Sequence, residues 1–127
     1  MKGSGSMIDH LSISVKNIEK SKDFYAQVLK PLNGEIKMEH GKTVNFGKVK
    51  APFGPFWMGE GETESAVAHV AFMADSKEAV AAFYEAGLAA GGTDNGAPGY
   101  RPEYSEDYYA AFILDPDGNN IEAVYYG

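Results

Sequence analysis

The 127-residue chain contains no cysteine. That excludes disulfides, thiolate nucleophiles and sulfur-ligated zinc or iron clusters, and leaves oxygen and imidazole as its only metal-ligand chemistry. Positive charge is also scarce: 11 Lys and Arg stand against 18 Asp and Glu, a formal net charge of -7 and a pI near 4.8. Such a chain lacks the field that a phosphate backbone requires, so nucleic acid is not an expected partner. No apolar run approaches the ~18 residues that cross a bilayer, and a membrane is not expected either. The opening Met1-Lys2-Gly3-Ser4-Gly5-Ser6 has no apolar signal core and reads as an expression-tag remnant before a start at Met7. A cytoplasmic location follows by default. What remains, 7–127, is long enough for one hydrophobic core and too short for two, and therefore reads as a single domain.

The chain is built from one unit used twice. An offset of 59 aligns His10 with His69, Asn17 with Ser76, Glu19 with Glu78, Phe24-Tyr25 with Phe83-Tyr84 and Leu29 with Leu88. Alternation in Leu11–Val15 and Val70–Phe72 predicts a strand opening each half. Asn17 and Ser76 predict helix N-caps, Glu19 and Glu78 suit the positive first turn, and Phe24 and Val28, or Phe83 and Leu88, supply a buried stripe. Pro31 to Gly34, and Gly91-Gly92, end the helices. Strands are expected at Gly34–Met38, Thr43–Lys48 and Phe53–Gly59 in the first half, with Glu39-His40-Gly41-Lys42 as a tight turn. In the second half they are expected at Thr93–Ala97, Tyr108–Leu114 and Ile121–Tyr125. Asp115-Pro116-Asp117-Gly118-Asn119 is the strongest turn signal in the chain. The fold class is α+β, two βαβββ modules at about 7–60 and 66–126 that close by pairing.

Strand parity then groups the polar residues. If Leu11, Ile13 and Val15 pack under the helix, His10, Ser12 and Ser14 take the opposite face. By the same rule Val70 and Phe72 face the helix while His69, Ala71 and Met73 do not, and Glu122 opposes Ile121 and Ala123. Two imidazoles and one carboxylate on one side of the sheet system form a metal set with open positions, suited to Fe(II), Mn(II) or Zn(II). Taken singly, a strand histidine is more often a hydrogen-bonded interior residue than a ligand, and Glu122 has a solvated-strand reading. The repeat changes the balance, because it puts two of the three histidines at equivalent positions. His40, beside Gly41, has no equivalent and reads as exposed.

At these residues the chain resembles the vicinal oxygen chelate superfamily, which includes glyoxalase I, extradiol dioxygenases, fosfomycin resistance proteins and bleomycin resistance proteins. The resemblance covers nearly all of Met7 to Tyr126. It is carried by Met7-Ile8-Asp9-His10, the Ser21–Tyr25 helix, Ala68–Phe72, and Phe112 through Glu122. It implies a curved, cupped mixed sheet with helices outside, a homodimer, and metal ligands His10, His69 and Glu122 for a divalent ion (Zn, Fe(II), Mn or Ni). The implied activity is that of a metal-dependent enzyme acting on a small molecule that chelates through vicinal oxygens, by lyase, isomerase or ring-cleaving dioxygenase chemistry. Trp57 falls where glyoxalase I would carry a carboxylate, so the first half has lost an acidic ligand. The basic residues and potassium loop of a fosfomycin-type transferase have no counterpart here. Bleomycin-binding members supply the alternative, a metal-free protein that sequesters a drug or other small molecule.

The insertion from Ala97 to Tyr109 is dense in tyrosine and holds an arginine. Tyr104 and Tyr108 are candidate proton donors to an oxyanion, and Arg101 can hold a carboxylate or phosphonate by two parallel bonds. Trp57 is a candidate substrate wall. Packing and interface roles account for aromatic residues of this kind as well.

Overall fold

A computed structural model of the chain describes residues 8–61 and 68–127. The expected tag remnant and the seam between the modules fall outside the described residues. The elements are β1 (Leu11–Val15), α1 (Ile18–Leu29), a 3-10 turn (Lys30–Leu32), β2 (Gly34–His40), β3 (Thr43–Lys48) and β4 (Phe56–Glu60). They continue as β5 (His69–Met73), α2 (Lys77–Ala89), β6 (Thr93–Tyr100), β7 (Tyr108–Leu114) and β8 (Asn120–Tyr126). They form two four-stranded mixed sheets with the same plan, β1-β4-β3-β2 and β5-β8-β7-β6. The repeat holds residue by residue: parallel β1 and β4 pair Ser12 with Trp57, and parallel β5 and β8 pair Ala71 with Glu122. Trp57 thus occupies in the first sheet the place of Glu122 in the second.

Both helices start as the caps predict. Asn17 and Ser76 have extended backbone, and their side-chain oxygens accept from the amides of Lys20 and Ala79 at 3.0 Å. Helix α1 buries Ile18, Phe24, Tyr25, Val28 and Leu29. In α2 the inward row is Val80, Phe83 and Gly87, and Leu88 is 39% exposed, which corrects its expected place in the buried stripe. A Cβ on Gly87 would lie 2.9 Å from the Ile113 side chain, so the bare backbone lets α2 approach β7 and turns position 88 outward. Three strand ends also differ from expectation by two residues or more. Strand β2 runs on to His40, which is exposed, leaving Gly41-Lys42 as the turn. Strand β4 starts at Phe56, immediately after Pro55, whose nitrogen cannot donate to a ladder. Strand β6 continues to Tyr100 through register shifts around Gly96 and Gly99, so the first part of the tyrosine-rich insertion is strand.

The halves share one core. It joins Ile13, Val15 and Met58 of the first sheet to Ile113, Ile121 and Ala123 of the second. Helix α1 packs on α2, and the Phe56 and Phe72 rings meet edge to face at 5.3 Å. Each sheet therefore gives its helix-side face to the common core and leaves its other face open. Tyr25 is central to this contact. Fully buried, it packs against Phe24 and Phe56 with ring centroids at 5.2 Å, and its hydroxyl donates to Asp115 of the other half.

Asp115 opens the turn between β7 and β8. Its buried carboxylate accepts from four donors: Tyr25 Oη, the Asp117 and Asn119 amides at 2.9 and 2.8 Å, and Asn119 Nδ2 at 2.9 Å. Gly118, at φ 90°, supplies the left-handed residue the turn requires. Asp117 reaches the start of α1, accepting from the Lys16 amide at 3.1 Å and from Ser21 Oγ at 3.3 Å. Asn119 turns toward β5, where its Oδ1 accepts from the Ala68 amide at 2.7 Å.

Asp115→Ala removes the acceptor of two buried side chains and is expected to lower the unfolding free energy by about 3–5 kcal/mol in urea titrations. Tyr25→Phe removes one donor and should cost about 1–2 kcal/mol. A double-mutant cycle between the two should show coupling above ~1 kcal/mol.

Burial first, and then the Asp115 charge, hold the Tyr25 phenol well above its usual range. Stability tied to that raised value is complete below about pH 10, the unfolded phenol value, and falls as pH rises toward the folded one. Alkaline urea series should show this decline in the wild type and less of it in Tyr25→Phe.

Candidate functional site

On the open face of the second sheet, Glu122 is 2% exposed, although the face itself is accessible. Its neighbours cover it. His69, at the start of β5, brings Nε2 to 2.8 Å from Oε1, and Tyr108 at the start of β7 donates its hydroxyl to Oε2. An ionised carboxylate only accepts, so both neighbours contribute their protons. Phe112 pairs directly with Glu122 across β7 and β8, and its ring centre lies 6.3 Å from that of His69. Burial, reinforced by the hydrogen bond and charge of Glu122, raises the Tyr108 phenol far above its ordinary value and keeps it a proton donor.

His69 is set in place by the turn at Asp115. Asn119 fixes the Ala68 amide, and the Asn120 amide donates to the Ala68 carbonyl at 2.9 Å, so the residue before His69 is bonded on both sides. Sequence reasoning found this segment only as a turn. Its aim toward β5 needs the β5–β8 register, which no local signal carries.

The rest of the insertion adds a charge and an aromatic edge. Tyr104, 62% exposed, meets the Tyr108 ring edge-on at 5.0 Å and has no bond to Glu122. Arg101 lies over the face of Phe112, its guanidinium carbon 5.3 Å from the ring centre, with Nη2 donating to the Ala97 carbonyl at 2.8 Å. The expected proton donors thus separate: Tyr108 reaches the carboxylate, and Tyr104 reaches only Tyr108. Phe112 was not anticipated, although the alternation that placed Glu122 also places Phe112 on its face.

His10 lies on the open face of the other sheet. Its Nδ1 is 2.9 Å from Asp9 Oδ2, and both side chains are exposed. Around it Asp9, Ser12, Phe53, Gly54, Pro55 and Trp57 line a concavity of about 610 Å³, and a second of about 310 Å³ adjoins it along Ser12, Ser14, Thr43 and Trp57. Among the described residues, none of the second half lines either one. Asn45, opposite Trp57 in β3, is buried and holds the bordering loop by bonds to Gly54 and Phe56. Of the three expected metal ligands, then, one chain brings His69 and Glu122 together and leaves His10 on the other face. Among the described residues no three His, Asp or Glu side chains converge. No helix is long and apolar enough to cross a membrane among those residues.

Residues 7–123 match the family model described as the glyoxalase/bleomycin resistance protein/dioxygenase superfamily. No curated protein matches the chain. Among solved structures, a glyoxalase/bleomycin resistance protein from Albidiferax ferrireducens is 31% identical and superposes with a TM-score of 0.81, covering 94% of this chain and 99% of its own. A glyoxalase/bleomycin resistance protein/dioxygenase family enzyme from Burkholderia phytofirmans is 20% identical, with a TM-score of 0.73 over 96% and 100% of the two chains. A lactoylglutathione lyase from Agrobacterium tumefaciens, 16% identical, has a TM-score of 0.69 over 97% and 95% and shares the fold. From the doubled βαβββ plan, the register that equates Trp57 with Glu122 and the match over residues 7–123, the chain belongs to the glyoxalase/bleomycin resistance protein/dioxygenase superfamily.

Proposed function

We propose that the protein is a metal-dependent enzyme of this superfamily, acting on a small molecule with two adjacent oxygens, and that two copies of the chain complete each site. The observation that carries the reading is the His69–Glu122 pair on an open face, with His10 at the repeat-equivalent position of the other open face. The donor chemistry fits a divalent ion: two imidazoles and a carboxylate leave positions free for substrate. One chain supplies only two converging donors, so the third, His10, comes from a second copy whose first sheet faces this chain's second sheet. A divalent ion bound by these three would act as a Lewis acid on substrate oxygens. The chain's own residues do the remaining work. Tyr108 holds the orientation of Glu122 with the proton of its hydroxyl, which would reach an oxyanion only by leaving the carboxylate. Trp57, Phe53 and Pro55 supply an apolar wall on the His10 side.

A second reading has its own support. Trp57 has no lone pair where Glu122 has two oxygens, and the roomier concavity is bordered by Phe53 and Trp57. A metal-free protein that sequesters an apolar small molecule would use those walls and leave the His69–Glu122–Tyr108 bonds intact.

The two readings part on metal. His69→Ala and His10→Ala are each expected to abolish stoichiometric metal binding, read by elemental analysis after dialysis, with melting temperature little changed. Mixed dimers of the two variants should recover about half the metal, because one of their two shared sites keeps all its ligands; a site within one chain would recover none. Chelation should remove turnover, and ligand binding that survives complete metal removal would support sequestration.

Tyr108→Phe is expected to weaken metal binding by about 10–100-fold, the usual cost of losing a partner that orients a ligand. Calorimetric titration with the metal alone measures it. Unchanged affinity would show that Glu122 is oriented without the phenol.

A further inference from the structure

Arg101 is the only arginine in a chain of net charge -7, and among the described residues it makes no ion pair. With so many carboxylates available, an unpaired guanidinium is an anomaly, and its surroundings show that it is held in place. Its amide donates to the Tyr108 carbonyl at 2.8 Å, closing the loop that carries Tyr104. Its side chain lies on the Phe112 ring, and Nη2 is anchored by the Ala97 carbonyl. Two glycines of β6 leave room for it: a Cβ on Gly96 would come within 3.2 Å of Nη2 and one on Gly99 within 3.2 Å of Nη1. Gly96 also has φ 150°, which favours glycine on its own account. One neutral carbonyl accepts a single N–H, so among the described residues most of the fork's five donors have no protein acceptor.

The position relates this fork to the site. Phe112, the ring beneath Arg101, pairs across the ladder with Glu122 and neighbours the His69 ring. The same face continues through Ala110 and Val124, both buried, to the exposed Met73. We infer that Arg101, cradled by Gly96, Gly99 and Phe112, is the anchor for a carboxylate on the substrate, whose reacting end lies toward Glu122 and His69. A flat guanidinium with donors left over matches a flat carboxylate by two parallel bonds, and stacking on Phe112 lowers the entropy cost of ordering the side chain. The inference deepens the proposed function and takes from it only the location of the reaction, so its test needs neither metal nor turnover.

A single arginine gives a single Nε–H cross-peak in a ¹H–¹⁵N spectrum of the full chain, which makes the test direct. Phenylacetate is expected to move that peak saturably in the low-millimolar range, while neutral phenylacetamide and sodium chloride at matched ionic strength leave it in place. Arg101→Gln should weaken phenylacetate binding at least tenfold, followed by backbone amides of β7, with its melting temperature confirming that it folds. Arg101→Lys, which keeps the charge and loses the fork, should fall between the two. Methylphosphonate is the competing anion, and a response tighter than that to phenylacetate would overturn the carboxylate assignment. Equal shifts with phenylacetamide or chloride, or undiminished binding by Arg101→Gln, would overturn the anchor itself. The metal content of the same wild-type protein is measured separately, so loss of the metal reading and loss of the anion site appear as different results.

Discussion

The buried carboxylate of Asp115 is the constraint on which the rest of this molecule depends. A carboxylate removed from water must have its lone pairs satisfied, and here a phenol, two amides and a carboxamide do so. The phenol belongs to α1 of the first half and the other donors to the turn of the second, so the charge can be satisfied only when the halves are docked. The same turn sends Asp117 to the start of α1 and Asn119 to the start of β5. One turn thereby sets the docking of two modules and the position of His69, and the fold and the candidate site share a common support.

Much of the fold was legible because repetition doubled each signal. The caps at Asn17 and Ser76, the alternation in β1 and β5, and the turn at Asp115 are local features whose physics acts within a few residues. The exceptions trace to contacts from elsewhere. Leu88 looks like Leu29 on the sequence, but Gly87 meeting Ile113 sets the helix face. Strand β6 outlasts its pattern because Gly96 and Gly99 absorb register shifts that a propensity reading treats as a strand end.

The site was legible to the same degree. Parity placed Glu122 and His69 on one face, and the structure joins them at 2.8 Å. It placed His10 on the corresponding face of the other sheet, and parity alone cannot tell whether two such faces meet. They do not meet within one chain, since both sheets turn their helix sides to a common core. Tyr104 and Tyr108 were indistinguishable as sequence, four residues apart in one insertion. Only Tyr108 stands on a strand paired beside Glu122, and that pairing, not residue type, separates them.

The exchange of a carboxylate for an indole between equivalent places has an optical consequence. Trp57 is the only tryptophan, and it lies on the first sheet's open face, while the phenols nearest Glu122 all belong to the second half. Indole emission therefore reports on the first sheet's open face, whereas phenolate absorbance sums over Tyr25 in the core and seven tyrosines of the second half. In a pair of chains that shared a site in the proposed way, a ligand there would meet the indole of one copy and the phenols of the other, and the single indole would register its arrival without an added label.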